Sequence, residues 1–370
     1  MSISPRLLRI RHRFALPHQT DVIILQSRHG DALQSVCRGF NCGAVDPTAF
    51  PLIFSIRFIT AFLRQPSGTS RFTRYVIATA KAHQAKVIIA TDAIKQLTEI
   101  KQLSKDLHVL AVMHGFYIDQ GTGEYLREPW QPSRSTAVEL FAFGEYDKTN
   151  YRRWGNIHSN LHPVGSLNNA IYLSKKIEPT EVQYDLCVIQ GATNPNAVDY
   201  FSQVRLHNWE KIVEYVNTLQ SILNLKVIIA LSPLSSKRAE VKSWFEARLT
   251  NPVAFTPIGS AHETYRAIDQ SKVSVGETST AIVEGLARKN KCIALNFSEL
   301  DVLSLPGNSL NTLKNPKYPE FEERFSLLKN MDHDHYWSEI QSDVAKLINV
   351  DEQAQVVEKV QQRIRYLLQN

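Results

Sequence analysis

A short β-branched run, a turn and then an amphipathic helical stretch recur along most of this chain, and that alternation is its tightest constraint. Apolar strands alternating with covering helices pack as a mostly parallel sheet buried on both faces. In the first half the predicted strands are Asp21–Leu25, Lys86–Ala90, Val109–Met113 and Glu139–Phe143, with helical patterns at Ile53–Arg64, Ser70–Gln84 and Ile94–Lys105. The polar segment Lys175–Gln183, with four charges and a proline, then reads as a linker. After it the pattern restarts. Strands Tyr184–Gln190, Lys226–Leu231, Val253–Thr256, Lys272–Val275 and Cys292–Asn296 alternate with helices Leu206–Leu223, Ser236–Leu249, His262–Gln270 and Thr278–Lys289. From Glu320 to Asn370 the chain reads as helical. At 370 residues it exceeds the size at which one core stops growing. The expected fold is therefore α/β: two Rossmann-like domains facing across a cleft, with C-terminal helices. The expected bounds are 1–175, 184–345 and a last helix over 346–370.

Composition narrows the class. A hydrophobic share of 43% with 21% charged residues is that of a globular protein. Cys37, Cys42, Cys187 and Cys292 lack metal-ligand spacing, which fits a reducing, cytoplasmic setting. No apolar signal core occupies the first 20 residues. The most apolar stretch, Ala49–Leu63, is 15 residues long and carries Arg57, so it is too short to span a bilayer. Arg6, Arg9, Arg11 and Arg13 concentrate the net charge of +6 near the start. Two readings apply to them: a peripheral contact with anionic membrane at its inner face, or a solvated terminus. No nucleic-acid-binding module accompanies the charge, and nucleic acid is not expected as a partner.

The densest chemistry lies in Val273–Glu284, VSVGETSTAIVE. A strand ends at Val275, Gly276 permits a turn, and Glu277 follows. Thr278, Ser279 and Thr280 then bring hydroxyls and backbone N–H groups to a helix start, which suits a phosphate or diphosphate. Glu284 is placed to accept from ribose hydroxyls; plain N-capping by Thr278 or Ser279 is the structural alternative. His114 and Gly115 follow the strand Val109–Met113, and Asp92 follows Lys86–Ala90. Ligands of open α/β sheets bind at such strand ends, so His114 and Asp92 are the candidate catalytic pair, with packing and capping as their alternatives. Gly30, between His29 and Asp31, is a site for close backbone approach. Lys237 and Arg238 stand where cations balance a diphosphate. Asp332-His-Asp-His335 imitates a metal cluster but falls between tail helices, away from any strand end.

These stretches carry a likeness. KVIIATDAIKQLTEIKQLSKDLHVLAVMHG (86–115) resembles bacterial surface-carbohydrate (O-antigen and capsule) biosynthesis proteins related to GT-B glycosyltransferases. Phe143-Gly144-Glu145-Tyr146, Val164-Gly165-Ser166-Leu167, Ser279-Thr280-Ala281 with Glu284-Gly285, and Pro319–Leu328 extend it over most of 20–345. Ala93 and Met113-His114 depart from its common pattern. The resemblance implies a nucleotide-sugar substrate at Gly276–Glu284, an acceptor side lined by Asp92 and His114, a glycan or lipid-linked acceptor, and neither metal nor cofactor. Two competing functions remain: a nucleotide-sugar epimerase or hydrolase of the same architecture, and a non-catalytic scaffold in glycan assembly.

Overall fold

The computed structural model describes residues 19–25, 30–45, 55–91, 95–116, 138–153, 160–175, 181–191, 196, 198–232, 238–257, 261–307, 309–351 and 355–370. Within them lie two six-stranded sheets, parallel throughout. The first contains β1 (Val22–Leu25), β2 (Cys42–Val45), β3 (Val87–Thr91), β4 (His108–Val112), β5 (Glu139–Ala142) and β6 (Leu161–Pro163), in the order β2-β1-β3-β4-β5-β6. The second contains β7 (Tyr184–Ile189), β8 (Val227–Ala230), β9 (Ala254–Phe255), β10 (Ser271–Gly276), β11 (Cys292–Asn296) and β12 (Thr312–Lys314), in the order β12-β11-β10-β7-β8-β9. The inner strands are unbroken apolar runs because helices cover both faces: every residue of β1 and β3 is buried.

The helices of the first half are α1 (Gly30–Val36), α2 (Ile56–Leu63), α3 (Arg71–His83), α4 (Lys95–Leu103), α5 (Glu145–Arg153) and α6 (Leu167–Lys175). In the second half they are α7 (Tyr200–Leu223), α8 (Arg238–Glu246), α9 (Ala261–Asp269) and α10 (Thr280–Ala287). The tail adds α11 (Tyr318–Asn330), α12 (His333–Leu347) and α13 (Val356–Gln369). Local chemistry sets their ends. Asp199 caps α7 by accepting from the Ser202 N–H at 2.9 Å, and Asn224 closes it in the left-handed region. The helix thus starts six residues before the Leu206 expected from its apolar stripe, and none of residues 200–205 is fully buried.

The tail does not stay with the second sheet. Val356, Val360, Ile364 and Leu367 of α13 join Val22, Ile24, Val87 and Ile89 in the first sheet's core. On the way, α12 touches both α10 and α5. The Asn349 N–H donates to the Phe143 carbonyl at 2.7 Å, and Gly144 lets the turn approach: a Cβ there would lie 2.6 Å from the Leu347 carbonyl oxygen. Asp332 caps α12 by accepting from the Asp334 and His335 N–H groups. Among the described residues no helix is long and apolar enough to cross a membrane. Arg6, Arg9, Arg11 and Arg13 lie outside the described residues.

Candidate functional site

Strand order locates the site before any side chain does. The second sheet, read from its β9 edge, has the 3-2-1-4-5-6 order of dinucleotide-binding sheets. Its order reverses between β7 and β10, and at such a switch point the connections leave in opposite directions and open a crevice beyond the strand ends. Gly276, which ends β10, pairs in register with Ile189, which ends β7. A Cβ on Gly276 would stand 2.6 Å from the Ile189 carbonyl oxygen, so this glycine serves close strand approach. Residues 276–284, read as the ligand-binding turn, therefore emerge at the switch point.

The turn divides into a buried anchor and a half-exposed rim. Glu277 has no exposed surface; its Oε2 accepts from Arg205 Nε at 2.6 Å and its Oε1 from Asn208 Nδ2 at 3.0 Å. Arg205 and Asn208 stand three apart near the start of α7, and Gly191 after β7 makes room for the guanidinium. A Cβ at Gly191 would lie 2.5 Å from Arg205 Nη2. Thr278 donates from Oγ1 to the Leu303 carbonyl at 2.6 Å. Thr278, Ser279, Thr280 and Ala281 are only half-buried. Ser279 is the N-cap of α10, with its hydroxyl 3.4 Å from the Ile282 N–H. Capping by Ser279 thus leaves this helix start half-covered, with its positive end partly open.

The rim faces the first half of the chain. The Phe116 N–H, four residues past β4, donates to Thr280 Oγ1 at 2.9 Å. Beside it Glu284, 1% exposed, accepts from Tyr265 OH at 2.7 Å through Oε2 and from Ser166 Oγ through Oε1. Burial raises this carboxyl to about 7, against the opposing pull of its two hydroxyl donors and of the nearby Arg288 and His114 charges. His114 is half-buried and Gly115 buried at the same place. His114, Gly115, Thr280 and Glu284, chosen from separate parts of the sequence, therefore meet. Each Glu284 oxygen thus already accepts from one protein hydroxyl.

Behind Glu284 a polar seam joins α6 to α9 and α10. Arg288 donates from Nε to Asp269 at 2.9 Å and from Nη1 to Asn169 Oδ1 at 2.7 Å. Its guanidinium lies 4.7 Å from the Tyr265 ring centroid, and Tyr172 donates to Asp269 at 2.9 Å. Arg238 is also committed to the protein. It donates to the carbonyls of Leu231, Ser232, Thr256 and Pro257, clamping the ends of β8 and β9. Gly30 is the first residue of α1. Asp92 and Lys237 lie outside the described residues. Arg205, Asn208 and Tyr265 are absent from the sequence reading, and Ser166 enters it only within the Val164–Leu167 stretch of the resemblance, with no role. The spacing of Arg205 and Asn208 after a strand was their one available signal, hidden by the late start assigned to α7.

No protein-family model and no curated protein matches the sequence. Solved structures do resemble the fold. UDP-GlcNAc 2-epimerase from Methanocaldococcus jannaschii, in complex with UDP-GlcNAc and UDP, superposes with a TM-score of 0.53 at 13% identity, over 92% of this chain and 98% of that one. The wall teichoic acid polymerase TagF gives 0.56 at 10% identity, over 97% and 90%. UDP-N-acetylglucosamine 2-epimerase from Rickettsia bellii gives 0.55 at 14%, over 94% and 96%. At such identities the shared property is the fold: two parallel α/β sheets in a GT-B-like arrangement with C-terminal helices.

Proposed function

We propose that this chain is a GT-B-type glycosyltransferase that moves a sugar from a nucleotide-sugar donor to a surface-glycan acceptor. One observation carries the reading: the half-exposed start of α10 sits at the switch point of the second sheet and faces the turn after β4. The diphosphate lies against the N–H groups and hydroxyls at Ser279–Ala281, where the helix dipole favours negative charge. As the bond between the anomeric carbon and the diphosphate breaks, charge builds on the leaving oxygen, and the same donors stabilise it. The acceptor hydroxyl forms the new glycosidic bond and passes its proton to a base on the first half, with His114 the candidate among the described residues. Glu284 turns from Ser166 to the donor's ribose as the nucleotide enters. The diphosphate is met by the helix start, and the reading requires no metal ion or cofactor.

Calorimetry with UDP and UDP-GlcNAc tests the pocket. Thr280→Asp keeps an acceptor for the Phe116 N–H and complements the helix dipole, yet sets a negative charge where the diphosphate would rest. It is expected to weaken UDP binding by at least about ten-fold while the melting temperature stays within a few degrees. Unchanged affinity removes the site assignment. His114→Ala is expected to lower turnover by about 10²-fold and leave donor affinity alone; an unaltered rate returns His114 to packing.

A second reading, 2-epimerisation, draws on the near-complete coverage of the epimerase structures. It needs carboxylates beside the sugar ring, and Glu277 and Glu284 are both bonded within the protein. Turnover of UDP-GlcNAc without any acceptor would favour the epimerase.

A further inference from the structure

Helix α2 presents apolar side chains on two separate faces, although it lies on the outside of the molecule. At 100° per residue, Phe58 and Phe62 share one face, and Ile56, Ile59 and Leu63 share another about 110° around the helix. The inner face is satisfied: Phe58 is buried and meets the Tyr75 ring of α3 edge-on at 5.5 Å. The outer face is not. Ile56 is 82% exposed, Leu63 72% and Ile59 49%, one continuous aliphatic stripe. A helix that is apolar all round normally lies in a core, and a solvent-facing apolar stripe marks a contact surface.

Charge identifies what the stripe meets. Residues 55–91 contain six basic side chains, Arg57, Arg64, Arg71, Arg74, Lys81 and Lys86, and no aspartate or glutamate. Arg57 and Arg64 are exposed and fall on one flank of the stripe, one helical face apart from it. An open groove of about 490 Å³ runs along that flank, lined by Arg57, Arg64 and Lys81, by Thr60 and Gln65, and on its far wall by Asp106. The acids nearest this surface come from the neighbouring segment and are engaged: Asp106 pairs with Lys81, and Glu99 accepts from the Ser70 N–H and the Thr73 hydroxyl. Arg74 is turned inward to the carbonyls of Pro66, Ser67 and Thr69.

We propose that α2 docks the protein on an anionic bilayer. Ile56, Ile59 and Leu63 enter the boundary between headgroups and acyl chains, while Arg57 and Arg64 meet lipid phosphates along the groove. This is the arrangement of an interfacial helix: an aliphatic face flanked by cations, too short to span. A protein partner would need an acidic surface with a matching apolar ridge; a bilayer supplies negative charge and hydrocarbon together, without specific shape. The inference stands apart from the nucleotide site, since vesicle binding needs neither donor nor catalysis. It also differs from a contact through Arg6–Arg13, and the two are separable.

Flotation of the full chain with phosphatidylcholine vesicles containing 30% phosphatidylglycerol, about 0.1 M salt, is the test. The wild-type chain is expected to float with these vesicles and to stay at the bottom with pure phosphatidylcholine. Ile56→Ser, Ile59→Ser and Leu63→Ser combined should cut the bound fraction by more than about ten-fold. Arg57→Gln with Arg64→Gln should cost about thirty-fold, from ~1 kcal/mol per basic side chain near an anionic surface. Because all five positions are exposed, melting temperatures serve as the folding control. Three results would overturn the proposal: no binding by the wild-type chain; full binding by the serine variant, with loss only when Arg6, Arg9, Arg11 and Arg13 become glutamine; or a dimer in sedimentation that the serine variant dissolves, which would assign the stripe to a second copy.

Discussion

Replacing Arg205 with methionine is expected to lower the unfolding free energy by about 3–5 kcal/mol, because it strands a buried carboxylate. Glu277 has no exposed surface, and its ion pair with Arg205 is 2.6 Å long. Methionine preserves most of the apolar stem but removes the charge, leaving Asn208 as the remaining side-chain donor to Glu277 among the described residues. The double variant Arg205→Met, Glu277→Gln is expected to recover most of the loss, since a neutral amide needs no counter-charge and still accepts from Asn208. Urea unfolding of the four proteins measures this as a thermodynamic cycle. A single variant within about 1 kcal/mol of wild type would show that water reaches Glu277. The consequence for function is positional. The pair ties the turn after β10 to the start of α7, so under the proposed function the N–H groups of α10 would be held in place before the diphosphate arrives, which lowers the cost of binding it.

The legible and illegible parts of this fold divide along burial. Inner strands show in the sequence because both their faces are covered: Val22–Leu25, Val87–Thr91 and Tyr184–Ile189 are continuous apolar runs. The strands absent from the sequence reading, Cys42–Val45, Leu161–Pro163 and Thr312–Lys314, all lie at sheet edges. An edge strand needs only one hydrogen-bonding neighbour and half the cover, so Leu161-His162-Pro163 tolerates a proline that an inner strand would exclude. The path of the tail was equally hidden. A stripe at Val356, Val360, Ile364 and Leu367 says that the helix buries one face, and nothing in the spacing says that its partners include β1 and β3, more than 260 residues back.

At the candidate site the sequence displayed the turn and hid its partners. A glycine, three hydroxyl residues and a helix after a strand were enough to single out 276–284, since strand, turn and helix start are contiguous in the chain. The commitments of the acids were not readable. Glu277 answers to Arg205, 72 positions away, and Glu284 to Ser166, 118 positions away. Such pairs are set by how the two sheets face each other. Arg238 illustrates the converse: its position after β8 suggested a diphosphate cation, whereas four carbonyl oxygens hold its guanidinium.

Glu284 should make stability fall as pH rises, the reverse of the usual carboxylate behaviour. Its ordinary value is 4.5, and burial at the seam raises it to about 7 in the fold. Below 4.5 both the folded and the unfolded chain hold the proton, and its contribution is fully present. Between 4.5 and 7 the unfolded chain releases the proton while the folded chain keeps it, so each pH step upward favours unfolding. Above 7 the loss is complete, and over that window it amounts to roughly 3 kcal/mol. Asp147, raised to about 8 by burial, titrates in the same direction. The diagnostic is therefore a difference: the melting-temperature profile of wild type minus that of Glu284→Gln, from pH 4 to 8. The glutamine retains partners for Ser166 and Tyr265 and cannot ionise. Wild type should lose several degrees relative to the variant across the window. Parallel profiles would mean that Glu284 ionises in the fold near its ordinary value, held by its hydroxyl donors and by Arg288. UDP binding is then the second readout. If ribose hydroxyls replace Ser166 and Tyr265 at an ionised Glu284, affinity should rise with pH through 7 in wild type and stay flat in Glu284→Gln, while a flat wild-type profile would leave this carboxyl to the seam alone.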